Sequence, residues 1–244
     1  MEKIVSYPVS FLYAICFLLC LIVFQPIQWI CFNLFGYQAH KKSVDYLNGA
    51  LVACTYILGT RYRFRHRERI PKGVPLIIAA NHQSLYDIIA IIWFLRDFHP
   101  KFVSKKELGK GIPSVSYNLR HGGSVLIDRK DPKQAIPVIG GMGKYIEKFN
   151  RSAVIFPEGT RSKNGVPKDF AQTGLKILCK SAPSAYVVPL TINNSWKMVK
   201  FGGFPFGLGN RLTFTVHEPI SVQGHTFDEI MEYTEAAVKS AIVN

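Results

Sequence analysis

The chain has 244 residues, 48% of them hydrophobic, and carries 30 lysines and arginines against 16 aspartates and glutamates, a formal net charge of +14. That is enough apolar sequence for one cored domain with an appendage, and a basic body leaves three partner classes: nucleic acid, an anionic membrane or an anionic substrate. The five cysteines, Cys16, Cys20, Cys31, Cys54 and Cys179, have no metal-ligand spacing with a histidine, so they read as small apolar packing residues, and no metal is expected.

The charge is uneven. Residues 1–60 hold Lys3, Lys41 and Lys42 against Glu2 and Asp45, so nearly all the excess lies beyond them. Residues 4–39 contain no charged side chain, and residues 9–24 form the most apolar stretch. About 20 apolar residues are needed to cross a bilayer, so this run is marginal for a span. A cleaved signal peptide fits poorly, because Lys3 stands beside Glu2 and no small-x-small site follows. A single span is one reading. A helical hairpin that dips into the membrane is the preferred one, its second limb being residues 44–58, where Val44, Leu47, Leu51, Cys54 and Leu58 recur at helical spacing. Residues 1–60 are therefore expected as a membrane-associating segment and 61–244 as one folded domain.

Residues 61–69 place an arginine at every odd position. Period two is the strand period, so Arg61, Arg63, Arg65, Arg67 and Arg69 are expected on one face, with Tyr62, Phe64, His66 and Ile70 on the other. Such a face suits lipid phosphates, or is an edge strand protected by charge. Beyond it strand and helix signals alternate. Strands are expected at 74–79, 102–104, 124–127, 153–156, 185–192 and 212–217. Helices are expected at 85–94, 174–179 and 227–242, and in part over 132–149, where Pro137, Gly140, Gly141 and Gly143 weaken the pattern. The alternation predicts an α/β fold, a mixed, largely parallel sheet flanked by helices and preceded by the apolar N-terminal segment.

Three segments carry chemistry. In Asn81-His82-Gln83-Ser84-Leu85-Tyr86-Asp87, a histidine suited to proton transfer near neutral pH precedes an aspartate by five residues. Five residues on a helix turn through about 500°, so the two meet only if His82 lies in the loop and Asp87 in the helix's first turn. The competing reading is a capping box, Ser84-x-x-Asp87, with the aspartate serving only the helix. In Phe156-Pro157-Glu158-Gly159-Thr160-Arg161-Ser162, a glycine turn follows a strand and presents Arg161, a planar fork for phosphate, where ligands bind in open α/β sheets. Lys105-Lys106-Glu107-Leu108 and Ile127-Asp128-Arg129 add cations after strands. Each alone is ordinary surface.

Together these segments resemble the glycerolipid acyltransferases of the 1-acylglycerol-3-phosphate acyltransferase type. The family's Asn-His-x-x-x-x-Asp block is matched at 81–87 and its third block at 156–162. Its second resembles 127–129 with Lys105 upstream, and its fourth Val188-Pro189-Leu190. Downstream of the third block, where relatives show Phe-Lys-x-Gly, this chain has Phe170-Ala171-Gln172-Thr173-Gly174. The resemblance implies that His82, oriented by Asp87, is the catalytic base, and that Lys105, Arg129 and Arg161 grip the acceptor phosphate. It implies that Glu158, Gly159 and Thr160 shape the acceptor site. It further implies a lysophospholipid acceptor, an acyl thioester co-substrate on coenzyme A or acyl carrier protein, and no other cofactor. Membrane lipids are expected partners at the cytoplasmic face, the inner membrane in a bacterium. No nucleic acid is expected, since neither zinc-finger spacing nor an RNA-binding aromatic signature occurs. Other lysolipid acceptors, and a non-catalytic lipid-binding protein, are the alternatives.

Overall fold

In a computed structural model, which describes residues 2–128 and 130–243, the chain folds as two helical layers around a mixed sheet. The strands are β1 (Arg61–Arg65), β2 (Leu76–Ala80), β3 (Pro100–Lys105), β4 (Val125–Ile127), β5 (Ser152–Ile155), β6 (Tyr186–Asn193), β7 (Arg211–Val216) and β8 (Ile220–Ser221). Their order is β1-β7-β6-β2-β5-β3-β4, with β8 against β6. The run from β6 through β4 is parallel, β6 and β7 are antiparallel, and β1 lies parallel to β7 at the edge. Every residue of β2 and β5 is buried, which is why these strands are continuous apolar runs rather than alternating ones.

One face of the sheet is covered by α1 (Glu2–Thr55) and α2 (Tyr86–Phe94), with α3 (Val115–His121) against α1, and the other by α4 (Pro132–Phe149), α5 (Gln172–Ser181) and α6 (Phe227–Ser240). Helix α1 breaks at Gly36, whose φ of 77° is a conformation that glycine adopts without steric cost. Its two limbs fold back on each other, with Cys20 Sγ 3.7 Å from Cys54 Sγ. The stripe Val44, Leu47, Leu51, Cys54 and Leu58 is buried in the core, as a hairpin limb packed on the domain requires.

The first limb buries Tyr13 and Leu21 but leaves many of its large apolar side chains outside. Its buried positions include Ser6, Ser10 and Gln28, whereas Phe11, Leu12, Ile15, Leu18, Leu19 and Ile22 are exposed. It is also tied to the domain along its length. Glu2 pairs with Lys200, Ser10 Oγ accepts from Phe206 N, and the Tyr13 and Tyr86 hydroxyls lie 3.0 Å apart. Ser114 Oγ donates to Leu21 O, and Asn33 Nδ2 donates to Tyr117 Oη.

Two expectations are corrected. The arginine strand stops at Arg65, because His66 takes the left-handed conformation (φ 58°) and residues 67–69 form a 3-10 turn. Arg61, Arg63 and Arg65 therefore share the exposed face, while Tyr62 and Phe64 turn inward onto Phe94 and Phe214. Arg67 instead pairs with Asp97, and Arg69 with Glu218. Helix α4 is unbroken despite its glycines. Gly143 is where α5 comes closest, since a Cβ there would stand 2.5 Å from Ser181 Cβ. Helix α3 and the two-residue β8 were not expected.

Candidate active site

Strands β2 and β5 are neighbours, so the loops after them meet at the same end of the sheet. The two are laced through the backbone. His82 N donates to Glu158 Oε1 at 2.8 Å, and Ser162 N donates to His82 O at 2.7 Å. Asn81, just before His82, bonds both ways to Ile192 at the end of β6. His82 is thus fixed in a loop while its ring stacks on Phe156, with centroids 4.0 Å apart.

His82 Nδ1 lies 2.8 Å from Asp87 Oδ2. Of the expected capping box only one half forms, since Leu85 rather than Ser84 precedes α2 and makes no side-chain cap, but Asp87 does reach back to the turn before the helix. The same Oδ2 accepts from Gln83 N at 2.7 Å and Ser84 N at 2.9 Å, while Ser84 Oγ accepts from Tyr86 N. Asp87 is fully buried, and a buried polar group is costly without such partners. On the far side of the ring, Arg161 Nε stands 3.4 Å from His82 Nε2. With a carboxylate acceptor at Nδ1 and a guanidinium donor at Nε2, the partners favour the tautomer with N–H at Nδ1, whose Nε2 lone pair meets Arg161 at the cleft.

That cleft, of about 520 Å³, is lined by His82, Phe156, Thr160 and the cations Lys105, Arg161, Lys163 and Lys168, with no carboxylate among the described residues that line it. Ile88, Phe102, Ser104, Leu108 and Arg161 also line a second cavity of about 270 Å³. It runs between the two limbs of α1, α2 and α3, past Phe17, Leu21, Leu51, Ile92 and Leu119. A cationic mouth thus opens into an apolar interior, with the histidine at the mouth.

The site residues expected from sequence divide. His82, Lys105, Thr160 and Arg161 line the cleft, and Asp87 lies behind His82. Glu158 faces inward. Besides His82 N it accepts from Lys168 N at 3.0 Å, and burial pushes its carboxyl above the usual range despite these two donors. Gly159 turns the chain with φ 68°, and Lys168 Nζ donates to Thr160 Oγ1. Arg129 lies outside the described residues. Sequence reasoning missed Lys163 and Lys168, although both follow Arg161 in its own loop. It also missed the apolar cavity, whose lining is drawn from α1, α2, β3, α3 and adjoining segments.

The Acyltransferase family model matches residues 61–193, more than half of the chain, and the chain belongs to that family. Among its relatives, a 1-acyl-sn-glycerol-3-phosphate acyltransferase of Helicobacter pylori is 37% identical over 125 residues, half of each chain. The mouse 1-acyl-sn-glycerol-3-phosphate acyltransferase alpha is 24% identical over 189 residues, 78% of this chain and 65% of that one. The chain thus spans about half to two-thirds of the length of these curated relatives. The fold is that of the crystallised 1-acyl-sn-glycerophosphate acyltransferase PlsC of Thermotoga maritima, with a TM-score of 0.81 at 24% identity over 99% of this chain and 96% of that one.

Proposed function

We propose that this protein transfers a fatty acyl group from a thioester, on coenzyme A or acyl carrier protein, to the free hydroxyl of 1-acylglycerol 3-phosphate, giving phosphatidic acid. The observation that carries this reading is the juxtaposition at His82. An imidazole held by a buried aspartate faces a cleft that is cationic on one side and opens into an apolar cavity on the other. An acceptor with a phosphate and a donor with a hydrocarbon chain are the two chemistries such a cleft accommodates together.

In this reading His82 Nε2 takes the proton of the acceptor hydroxyl as its oxygen attacks the thioester carbonyl. The tetrahedral intermediate collapses, the carbon–sulfur bond breaks, and the thiolate leaves with the proton from His82. Asp87 steadies the imidazolium between the two transfers. A thioester is already activated, so no covalent enzyme intermediate is required. Base assistance of this kind contributes roughly 10²–10⁴-fold. Arg161, Lys105, Lys163 and Lys168 supply the counter-charge for the acceptor phosphate. Arg161 must leave Nε2 as the hydroxyl arrives, and the phosphate gives it a place to go.

The exposed apolar side of the first α1 limb supports docking in one leaflet, since soluble monomers rarely expose contiguous apolar patches above a few hundred Å². Crossing the bilayer would break the contacts that tie this limb to the domain from Glu2 to Asn33. A dipping hairpin keeps them all, and it places the acceptor's own bilayer beside the cleft.

The test is an acceptor comparison. Wild type is expected to use 1-acylglycerol 3-phosphate about 10–100-fold better in kcat/KM than the same lipid without its phosphate, the range for losing a charge-assisted contact. Arg161→Ala should remove most of that preference by raising the KM for the phosphorylated acceptor. Equal use of both acceptors by wild type would discard the phosphate reading and favour another acceptor.

A further inference from the structure

The interactions of Asp87 Oδ2 leave its other oxygen to be explained. Oδ2 takes His82 Nδ1, Gln83 N and Ser84 N. Oδ1 accepts from Ser195 Oγ, with Ser84 Oγ farther away at 3.5 Å. Ser195 lies 108 residues along the chain, two residues after the end of β6, and is fully buried. A carboxylate accepts only, so the serine hydroxyl is the donor.

The torsion that turns a carboxylate about its last bond is broad and nearly two-fold. Three donors on one oxygen hold that oxygen but leave the plane of the group free to rock about it. A donor on the second oxygen fixes the plane, and with it the direction in which Oδ2 meets His82 Nδ1–H. Ser195 is itself held for this task. Its N–H donates to Gln83 Oε1 at 3.0 Å, Asn194 before it takes the left-handed conformation (φ 69°), and Ile192 is bonded both ways to Asn81. The loop after β6 is therefore indexed to the loop that carries His82. Ser195 lines neither the cleft nor the apolar cavity.

We propose that Ser195 is a positioning residue for acyl transfer, its hydroxyl fixing the Asp87 carboxylate against which His82 is aligned. This rests on the reading of His82 as the base. The test uses the full chain in detergent–lipid micelles and compares wild type with Ser195→Ala, Ser195→Cys, Asp87→Ala, Asp87→Ala/Ser195→Ala and His82→Ala. Cysteine keeps the side chain's place with a weak donor, so it carries the test if the alanine variant fails to fold. Both Ser195 variants are expected to lose about 10–100-fold in kcat, the range for a hydrogen bond to a charged group, with both substrate KM values within about twofold of wild type. On the Asp87→Ala background, Ser195→Ala should cost nothing further in kcat. A purely structural serine would lower stability without this coupling. Wild-type kcat in Ser195→Cys, or a full additional loss on the Asp87→Ala background, overturns the proposal while an inactive His82→Ala leaves the base reading standing. Wild-type turnover by His82→Ala overturns both.

Discussion

Glu158 shows how a residue's role differs from its place in a motif. The resemblance puts it in the acceptor site, yet its two oxygens hold the backbone of His82 and Lys168. Glutamine has one acceptor oxygen where glutamate has two, so Glu158→Gln must leave one of those N–H groups facing an amide. We expect a stability loss of about 1–3 kcal/mol and a fall in kcat with little change in acceptor KM, read by urea unfolding and steady-state kinetics. A selective rise in acceptor KM would return Glu158 to direct substrate contact. At this scale the His82–Asp87 pair was legible, because five-residue spacing across a strand–helix junction allows them to meet. Ser195 was not, because it reaches Asp87 through sheet order, and no local pattern in a sequence encodes which strand end lies beside which.

Among the elements, α1 shows most directly how an apolar sequence is used. Its uncharged stretch is marginal for a span, and the helical stripe at 44–58 makes a hairpin the preferred reading. The hairpin reading draws its support from the break at Gly36 and from Ser10, whose Oγ accepts from Phe206 N of the domain, a partner intelligible only once the fold is in place. Leu18 and Ile22 are about half exposed, on the outer side of the first limb. Leu18→Glu/Ile22→Glu is expected to keep the fold and lower partitioning onto anionic vesicles at least about tenfold, since removing each large apolar side chain from lipid forfeits on the order of 1.5–3 kcal/mol. Vesicle co-sedimentation measures this, and unchanged binding would refute leaflet docking by this face. Strand β1 illustrates the opposite limit. Strict alternation over nine residues predicts one long strand, but a left-handed turn at His66 redirects Arg67 and Arg69 into ion pairs. Periodicity does not register a single backbone reversal.

For the whole molecule, the alternation of apolar runs announced an α/β sheet with helices on both faces, and the sheet places the loops of β2 and β5 side by side. The apolar cavity was illegible, because it is bounded by α1, α2, α3 and β3 at once. Its geometry carries a prediction. Ile88 stands where cleft and cavity join, and Ile92, one turn further along α2, lines the interior. Ile92→Phe fills part of that interior, so it should shift donor preference toward shorter acyl chains by about 10-fold or more in kcat/KM, as overpacking costs roughly 1–3 kcal/mol for the longer ones. Unchanged chain preference in a competition between long and short thioesters would place the acyl chain elsewhere.

The most direct measurement of the central claim is acyl transfer by the purified protein in detergent, with 1-acylglycerol 3-phosphate and a labelled acyl thioester, wild type beside His82→Ala. The structure's arrangement of His82 at the mouth of the cleft predicts labelled phosphatidic acid from wild type, and turnover lower by about 10²–10⁴-fold in the variant, with vesicle binding intact. Equal product from both proteins, or none from wild type with thioesters of either carrier, would contradict it.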